Sequence, residues 1–313
     1  MRVVLLGNCQ VPILAEALRL ATPGIEITRA LEIYRLAPGQ APEAERATEA
    51  AETQRAIEAA DLILTQRIMP VAATRYDLPL LATQTLRALR PDRVVVFPTL
   101  NFTGFTPDVR HLRRDNGPIL AGPLGNYHYD RVLSAYRQGV PATEATRLLD
   151  GETLLDAMPD PFAVALEQLR MREVAVDVTI SDLVADITTR HRHFHTPGHP
   201  SNLLLLHMAM RIAARAGLPF DAGAAGGVKT ALHDIDLPGY PAILRHYGLP
   251  PEPRPTFRGT QVVDASPRGV KHQGVVLYEP LPLVEAFYRV YDAVGPLPGP
   301  SWPPVPPRRQ PPR

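Results

Sequence analysis

The first hundred residues alternate short, largely apolar runs with segments of helical periodicity, and this alternation constrains the fold more than any other feature. Each run has four or five residues, a length that suits a buried strand; the runs are Val3–Leu6, Ile25–Thr28, Leu62–Thr65 and Arg93–Phe97. Strands that alternate with helices form a parallel sheet with both faces covered. The sequence therefore predicts an α/β fold with an N-terminal parallel sheet and flanking helices.

The second half of the chain has a different pattern. Helical periodicity dominates it, most clearly over Ser201–Ala216, whereas the signal is weak from Leu218 to Pro282. The end, Gly295–Arg313, is rich in proline and is expected to be disordered or extended. We predict an α/β sheet region over 1–125, a mainly helical region that closes the site over 126–294, and a disordered tail over 295–313.

Composition excludes several classes of protein. The 33 basic and 32 acidic residues give a net charge of +1, so there is no electrostatic case for nucleic acid. The single cysteine excludes an intramolecular disulfide and a cysteine-rich zinc site. No run approaches the ~20 apolar residues of a membrane span, and no signal peptide is evident. We expect a cytoplasmic protein that binds small molecules. The sequence does not indicate its oligomeric state.

The strongest candidate site is Gly7-Asn8-Cys9-Gln10, between the first predicted strand and the first predicted helix. Ligands of open α/β sheets bind at this edge. The positive end of the helix dipole is expected to lower the pKa of the Cys9 thiol. The turn amides, with Asn8 or Gln10, could receive a developing oxyanion. The alternative is a small apolar cysteine that is packed beneath the sheet.

A nucleophilic cysteine needs a base, and His199 is the candidate. It precedes Pro200, so its backbone should be extended, and it lies directly before the clearest helix. A Cys–His pair from distant parts of a chain is the expected arrangement for thiol catalysis. The alternative is a histidine with only a capping or loop role.

The segment before His199 carries further candidates. His191, His193 and His195 alternate and would share one face of a strand, as metal ligands can. The preceding residues look helical, however, and a helix would scatter them, so no metal is expected. Arg190 and Arg192 could contact a phosphate, although an exposed helix end would also explain them.

Two other patterns resemble known motifs without meeting their requirements. The segment 223–230 resembles a phosphate-binding loop, but Val228 separates glycine from Lys229 and no strand precedes it. Asp108 and His111 have the Asp-x-x-His spacing of some esterases, but they lie in the middle of the chain, just after Pro107. We expect neither to be catalytic.

Four segments in order resemble one family. They are Gly7–Gln10, the aromatic-Pro, Gly-aromatic and Pro-Asp stretch over Phe97–Asp108, Asn126–Tyr129, and His199–Asn202 with its Leu-rich helix. Together they look like the WcbI-type polysaccharide biosynthesis proteins, which are regarded as acetyltransferases. The resemblance spans about residues 1 to 250.

The resemblance implies that acetyl-coenzyme A is the acyl donor and that the acceptor is a sugar hydroxyl of a capsular or surface polysaccharide precursor. It also implies an SGNH- or flavodoxin-like layout, with Cys9 where SGNH esterases carry serine. Cys9 and His199 would then be catalytic. Other residues are assigned to the lining of the site (Asn8, Gln10, His128, Ser201 and Asn202) or to coenzyme A contacts (Gly7, Arg190 and Arg192). For a carboxylate partner of His199, Asp182 and Asp186 are the nearest candidates upstream.

Two other functions stay open. The same residues would suit an SGNH-like esterase or deacetylase with a cysteine nucleophile, or a non-catalytic module that binds a sugar or nucleotide. The sequence also leaves covalent transfer through Cys9 and direct transfer as equal alternatives.

Overall fold

A computed structural model of the chain describes residues 1–113, 119–187, 192–229, 231–251 and 255–299. Strands in these residues are β1 Arg2–Gly7, β2 Glu26–Glu32, β3 Leu62–Gln66, β4 Val94–Phe97, β5 Val109–His111, β6 Tyr127–Tyr129, β7 Phe194–Thr196, β8 His199–Pro200, β9 Phe257–Ser266 and β10 Gly269–Tyr278.

The α-helices of the described residues are α1 Val11–Ala21, α2 Glu43–Ala59, α3 Pro70–Arg75, α4 Thr83–Leu89, α5 Asp130–Arg137, α6 Ala142–Ala145, α7 Glu152–Ala157, α8 Pro161–Glu173, α9 Ser181–Ile187, α10 Asn202–Arg215, α11 Ala222–Ala225, α12 Pro241–His246 and α13 Pro280–Val294. Short 3-10 helices cover Ile33–Leu36, Pro79–Leu81 and Thr146–Asp150. Within this part of the chain, no helix is both long and apolar enough to cross a bilayer.

A four-stranded parallel sheet confirms the predicted fold class. Its strand order is β2-β1-β3-β4. Residues Val3–Leu6 of β1 are fully buried because the strand is central and both faces of the sheet are covered. The second strand is longer than predicted: it runs to Glu32 and ends beside Gly7 of β1.

Two compact units divide the chain, and each is built from separate segments. The first comprises Met1–Asn101, Glu167–Thr188 and His199–Leu232, and the second comprises Phe102–Leu166, Thr189–Gly198 and His233–Arg313. Both units therefore draw on early and late parts of the sequence. Composition alone cannot reveal such an arrangement, because it varies only along the chain.

In the first unit, side chains of alternate strand residues build a core on one face of the sheet. Val4 and Leu6 of β1, Ile63 of β3 and Val96 of β4 pack there with Ile57 of α2 and other apolar residues. The stripe of α1 that carries Val11, Leu14 and Leu18 is also buried. Pro12 lies in the first turn of α1, where its missing N–H costs nothing.

Helices α1 and α10 of the first unit pack together. Beyond α10, the N–H of Asp221 donates to the carbonyl of Ala21 at the end of α1, at 2.8 Å. Farther on, the N–H of Lys229 donates to Glu16 Oε1 at 3.0 Å. After α10, the chain thus meets the C-terminal end of α1 first and then runs along α1 toward its N-terminal end.

The second unit contains two antiparallel strand pairs and an aromatic core. Strands β5 and β6 pair, so Tyr127–Tyr129 is a strand inside the region that is predicted to be mainly helical. Strands β9 and β10, of ten residues each, form a hairpin in the region of weak signal. Sequence patterns miss it because register shifts at Lys271/His272 and Gln273/Val275 interrupt the alternation, and because few of its residues are buried.

Candidate functional site

The sheet has a topological switch point between β1 and β3. From β1 the chain crosses to β2 on one side, and from β2 it crosses to β3 on the other, so the connections diverge at the carboxyl ends of β1 and β3. Ligands of open α/β sheets bind where connections diverge in this way. Cys9 follows the end of β1, and Gln66 is the last residue of β3.

Three side-chain amides hold the turn after β1 in place. Gln66 Nε2 donates to Asn8 Oδ1 and to Gln10 Oε1, each at 3.1 Å. The N–H of Asn8 donates back to Gln66 Oε1 at 2.9 Å, and the N–H of Gln10 donates to Asn8 Oδ1 at 3.0 Å. We call these three residues, Asn8, Gln10 and Gln66, the amide latch. The latch joins the ends of two strands that are 58 residues apart in sequence.

Gln10 extends the latch to a third strand end. Its Nε2 donates to the carbonyl of Leu100 at 2.7 Å, and the N–H of Leu100 donates to its Oε1 at 3.2 Å. Leu100 follows β4. The buried Gln10 amide thus pairs with both polar groups of one backbone residue, much as a neighbouring strand would.

Gly7 is needed for the latch to close. A Cβ built on Gly7 would lie 2.6 Å from Gln66 Oε1 and 2.8 Å from Gln66 Cδ. Real Cβ atoms do not approach other atoms so closely, so any side chain at this position would displace the Gln66 amide. The role of Gly7 in the turn is therefore steric. Its predicted contact with coenzyme A stays a prediction.

The Cys9 thiol is half-buried beside the latch. Burial, followed by the negative charge of Glu32, raises the pKa of Cys9 from 9.0 to about 11. The expectation that the helix dipole would lower this pKa is wrong, because desolvation and a nearby carboxylate both disfavour the thiolate. The thiol therefore carries its proton at neutral pH.

The backbone donors of the turn are mostly occupied. The N–H groups of Asn8 and Gln10 bond within the latch, and that of Val11 donates to the carbonyl of Asn8 at 3.0 Å. The side chain of Asn8 is different. Its Oδ1 accepts from two donors, which holds the amide plane and directs Nδ2 away from the latch. Within the described residues no group accepts a hydrogen bond from Asn8 Nδ2, so this donor stays open to a ligand.

Glu32 and Tyr34 lie at the end of β2, beside this turn. The Tyr34 hydroxyl donates to Glu32 Oε1 at 2.9 Å. Burial and the neighbouring Glu32 carboxylate raise the pKa of Tyr34 to about 12, and Cys9 adds to this shift. Glu32 acts on both Cys9 and Tyr34, and Cys9 acts on Tyr34, so the three residues form one electrostatic cluster.

His199, Ser201 and Asn202 lie at the start of α10. His199 is half-buried in the short strand β8, Ser201 precedes the helix, and Asn202 is its first residue. Of the two carboxylates suggested as partners of His199, Asp182 is instead paired with Arg211, at 2.6 Å and 2.8 Å, and Asp186 is exposed. The catalytic role of His199 stays a prediction, and so does the assignment of Ser201 and Asn202 to the site.

Arg192 belongs to an ion-pair cluster in the second unit. Its Nη1 lies 2.7 Å from Asp236 Oδ1 and also donates to the carbonyls of Phe194 and Leu237. His195 Nδ1 contacts the same carboxylate at 3.3 Å. The Arg192 guanidinium thus has internal partners that satisfy it, and this arrangement favours a structural role over phosphate binding. Arg190 and His191 lie outside the described residues.

His128 lies in the core of the second unit and is fully buried. Its Nδ1 is 3.1 Å from the Tyr291 hydroxyl, its Nε2 is 3.1 Å from the carbonyl of Leu120, and its ring contacts Phe287. Burial lowers its pKa from 6.5 to about 4. These contacts favour a structural role for His128 over the predicted lining of the site.

The two motif-like patterns also have structural explanations. Asp108 is buried and accepts hydrogen bonds from the Tyr240 hydroxyl at 2.6 Å and from the N–H of Arg131 at 3.3 Å. In the glycine-rich segment, Asp221 caps the short helix α11 through the N–H groups of Gly223 and Ala224.

Sequence reasoning missed Gln66, Glu32 and Tyr34. The third strand is predicted to end at Thr65 and extends one residue further, to Gln66. The rule that ligands bind at the carboxyl ends of strands could therefore have identified Gln66. Glu32 and Tyr34 were missed because the predicted second strand ends at Thr28, four residues before Glu32. Arg29 interrupts its apolar pattern, and the strand continues to Glu32.

These features define the chain as an α/β protein with a three-residue amide latch and a half-buried thiol at the switch point of a parallel sheet. A family model described as the polysaccharide biosynthesis enzyme WcbI matches residues 2–221. The chain belongs to this WcbI family, as its sequence motifs indicate.

The fold is also found among solved structures. One structure is described as a native form of WcbI, a polysaccharide biosynthesis enzyme, without a disulfide bond between coenzyme A and one of its cysteines. It is similar to this chain with a TM-score of 0.66 and 20% identity, over 92% of this chain and 90% of that one. A search of curated proteins finds no match.

Proposed function

We propose that this chain transfers an acyl group, such as acetyl, from acyl-coenzyme A to the hydroxyl of a carbohydrate in polysaccharide biosynthesis. The observation that supports this most is the latch at the switch point, which fixes the Asn8 amide directly before Cys9 in the chain and leaves Nδ2 without an acceptor among the described residues. An amide donor held in this way suits the oxyanion that forms when a thioester is attacked. The family, and the coenzyme A in the description of the similar structure, support acyl-coenzyme A as the donor.

The reaction needs one base and one oxyanion donor. The hydroxyl oxygen of the acceptor attacks the thioester carbonyl carbon, and Asn8 Nδ2 donates a hydrogen bond to the oxygen as it becomes negative. The C–S bond then breaks as the intermediate collapses. The hydroxyl proton passes to His199 and from there to the departing coenzyme A sulfur, so that no other reactant is required.

Direct transfer is the route that the electrostatics favour. A thiol with a pKa of about 11 is almost entirely protonated at neutral pH, and only the thiolate is a good nucleophile. A covalent route would require His199 to remove the Cys9 proton before the acyl group could form a thioester on Sγ. Direct transfer avoids this step.

The test combines intact mass spectrometry with a binding measurement. Native protein is incubated with acetyl-coenzyme A and weighed, and its thermal shift is measured with free coenzyme A. We expect a thermal shift and no acetyl adduct on Cys9. An adduct would replace direct with covalent transfer. Hydrolysis of simple aryl acetates without a coenzyme A shift would favour an esterase, and neither activity nor shift would favour a non-catalytic binding module.

Asn8→Asp tests the oxyanion donor separately. The substitution keeps the two acceptor contacts of Oδ1 but replaces the Nδ2 donor with oxygen. We expect kcat to fall about 10²- to 10³-fold while the thermal shift with coenzyme A is kept. Unchanged kcat in a folded variant would exclude Asn8 as the donor.

A further inference from the structure

A carboxylate and an aromatic ring are presented to solvent beside the Cys9 turn. The register of the sheet pairs Glu32 with Gly7, two residues before Cys9. The 3-10 helix Ile33–Leu36 starts directly after β2 and is anchored by the buried Leu36. It leaves Glu32 half-buried and Tyr34 41% exposed. An aromatic side chain this exposed, at the binding edge of the sheet, is available to a ligand.

The two side chains act as a pair. The hydroxyl of Tyr34 donates to Glu32 Oε1 at 2.9 Å, which limits the rotamers of both groups. Within the described residues, Glu32 makes no ion pair with a basic side chain, and the charge of the exposed Arg35 acts on the Tyr34 hydroxyl. The acceptor positions of the carboxylate that Tyr34 does not use therefore stay available to a ligand.

This combination suits a sugar. A carboxylate can accept hydrogen bonds from two neighbouring hydroxyls, and these charge-assisted bonds are stronger than neutral ones. The face of a phenol ring packs against the apolar C–H face of a pyranose, while its hydroxyl stays in the polar network. An amino group on the sugar would add an attraction to Glu32.

The negative charge also discriminates against other ligands. Phosphates and sugar carboxylates would be repelled by Glu32 at contact distance. The phosphate groups of coenzyme A are therefore disfavoured here, and the same holds for uronic acids. The end of β2 is therefore available to the acceptor sugar rather than to coenzyme A.

We propose that Glu32 and Tyr34 form the acceptor subsite, which takes a neutral or amino pyranose with adjacent free hydroxyls and rejects uronic acids. This inference rests on the proposed function, because it names the second substrate of the same site. Its two residues are assigned by none of the sequence motifs.

The test is ligand-observed saturation-transfer NMR on the full chain with three sugars: glucose, glucosamine and glucuronic acid. Each is measured with and without saturating coenzyme A, so that sugar and coenzyme A binding are read separately. The variants are Glu32→Gln, Tyr34→Phe and, as a matched control, Glu26→Gln. Glu26 is an exposed glutamate at the opposite end of the same strand. Thermal melts check that each variant folds.

We expect the native chain to bind glucose and glucosamine and to bind glucuronic acid at least fivefold more weakly. Glu32→Gln should weaken glucosamine binding about tenfold and reduce the discrimination against glucuronic acid. Tyr34→Phe should have a smaller effect, and Glu26→Gln should have none.

Three results would overturn the subsite. They are binding of coenzyme A without binding of any of the three sugars, a preference for glucuronic acid, and equal losses in Glu32→Gln and Glu26→Gln. Sugar binding with the expected variant pattern but without coenzyme A binding would keep the subsite and overturn the proposed transfer reaction instead.

Discussion

The chain contains two clusters of polar side chains that look similar in sequence but differ in structure. At the switch point of the first unit, Asn8, Gln10 and Gln66 bond to one another and surround a half-buried thiol. Inside the second unit, His128 and Asp108 are fully enclosed and bond to the core around them. The first cluster leaves Asn8 Nδ2 without an acceptor among the described residues, whereas the second uses its groups internally. Polar residues therefore mark a candidate site only where their partners leave a group open to ligand.

The same cause perturbs the pKa in both clusters. Burial raises the pKa of Cys9 to about 11 and lowers that of His128 to about 4, since in each case the charged form is disfavoured. A shifted pKa thus does not distinguish a reactive group from a structural one. The two clusters can be distinguished by what each shift affects: reactivity at Cys9 and folding stability at His128.

The largest expected effect concerns His128. Its folded pKa of about 4 lies below the unfolded value of 6.5, so its neutral form stabilises the fold above pH 6.5, and this contribution is lost as the pH falls toward 4. The loss amounts to roughly 3 kcal/mol of unfolding free energy. Urea unfolding at pH 7, 5.5 and 4 measures it.

His128→Gln should flatten this part of the pH dependence. The same substitution at His246, an exposed residue at the end of α12, serves as the control and should leave the dependence unchanged. Equal pH profiles for the native chain and His128→Gln would contradict the structural assignment of His128.

The second effect is the reactivity of Cys9. With a pKa of about 11 in place of 9.0, its thiolate fraction at neutral pH is about a hundredfold lower than that of an unperturbed thiol. Alkylation by iodoacetamide, followed by mass spectrometry, should be correspondingly slow and should accelerate up to pH 11. Glu32→Gln should raise the rate and Glu26→Gln should not. A half-maximal rate below pH 9 would contradict the electrostatic cluster.

The third effect concerns the glycine under the latch. Gly7→Ala should lower the unfolding free energy by about 2 kcal/mol, because its Cβ would overlap Gln66. In the double variant with Gln66→Ala, the space for this Cβ is released. The two losses should therefore sum to more than the double variant shows in urea unfolding. Strict additivity would mean that Gly7 is required for another reason.

The smallest effect is expected from Gln66→Met, which keeps the side-chain volume but removes every hydrogen bond of the amide. We predict a loss of about 1.5 kcal/mol in unfolding free energy, together with a lower kcat in acyl transfer. Gln84→Met, at an exposed position of α4, is the matched control. If both variants behaved alike, the latch would have no role in orienting Asn8.

The first strand, the turn after it and the first helix were predictable from the sequence. The run Val3–Leu6 followed by Pro12 indicates a strand, a turn and a helix, since apolar periodicity and the first-turn preference of proline are both local properties. The resemblance at Gly7–Gln10 located the turn correctly.

The remaining parts depend on contacts between distant residues. The partners of Gln66 are set by the adjacency of β1 and β3, which a single run of residues does not encode. His128 and Arg192 have side chains suited to a site, and only tertiary packing shows that they are satisfied internally. The hairpin of β9 and β10 was not predicted, because its register shifts and its exposed residues remove the alternation of apolar and polar residues that identifies strands.

Hydrogen–deuterium exchange of the full chain, with and without acetyl-coenzyme A, tests whether the ligand binds at the switch point. If the switch point is the site, bound acetyl-coenzyme A should slow exchange in peptides that cover the turn 7–11 and the end of β3 at Gln66. Peptides that cover 127–131, in the core around His128, should be unchanged. Protection confined to 127–131, with no change at the turn, would contradict the account.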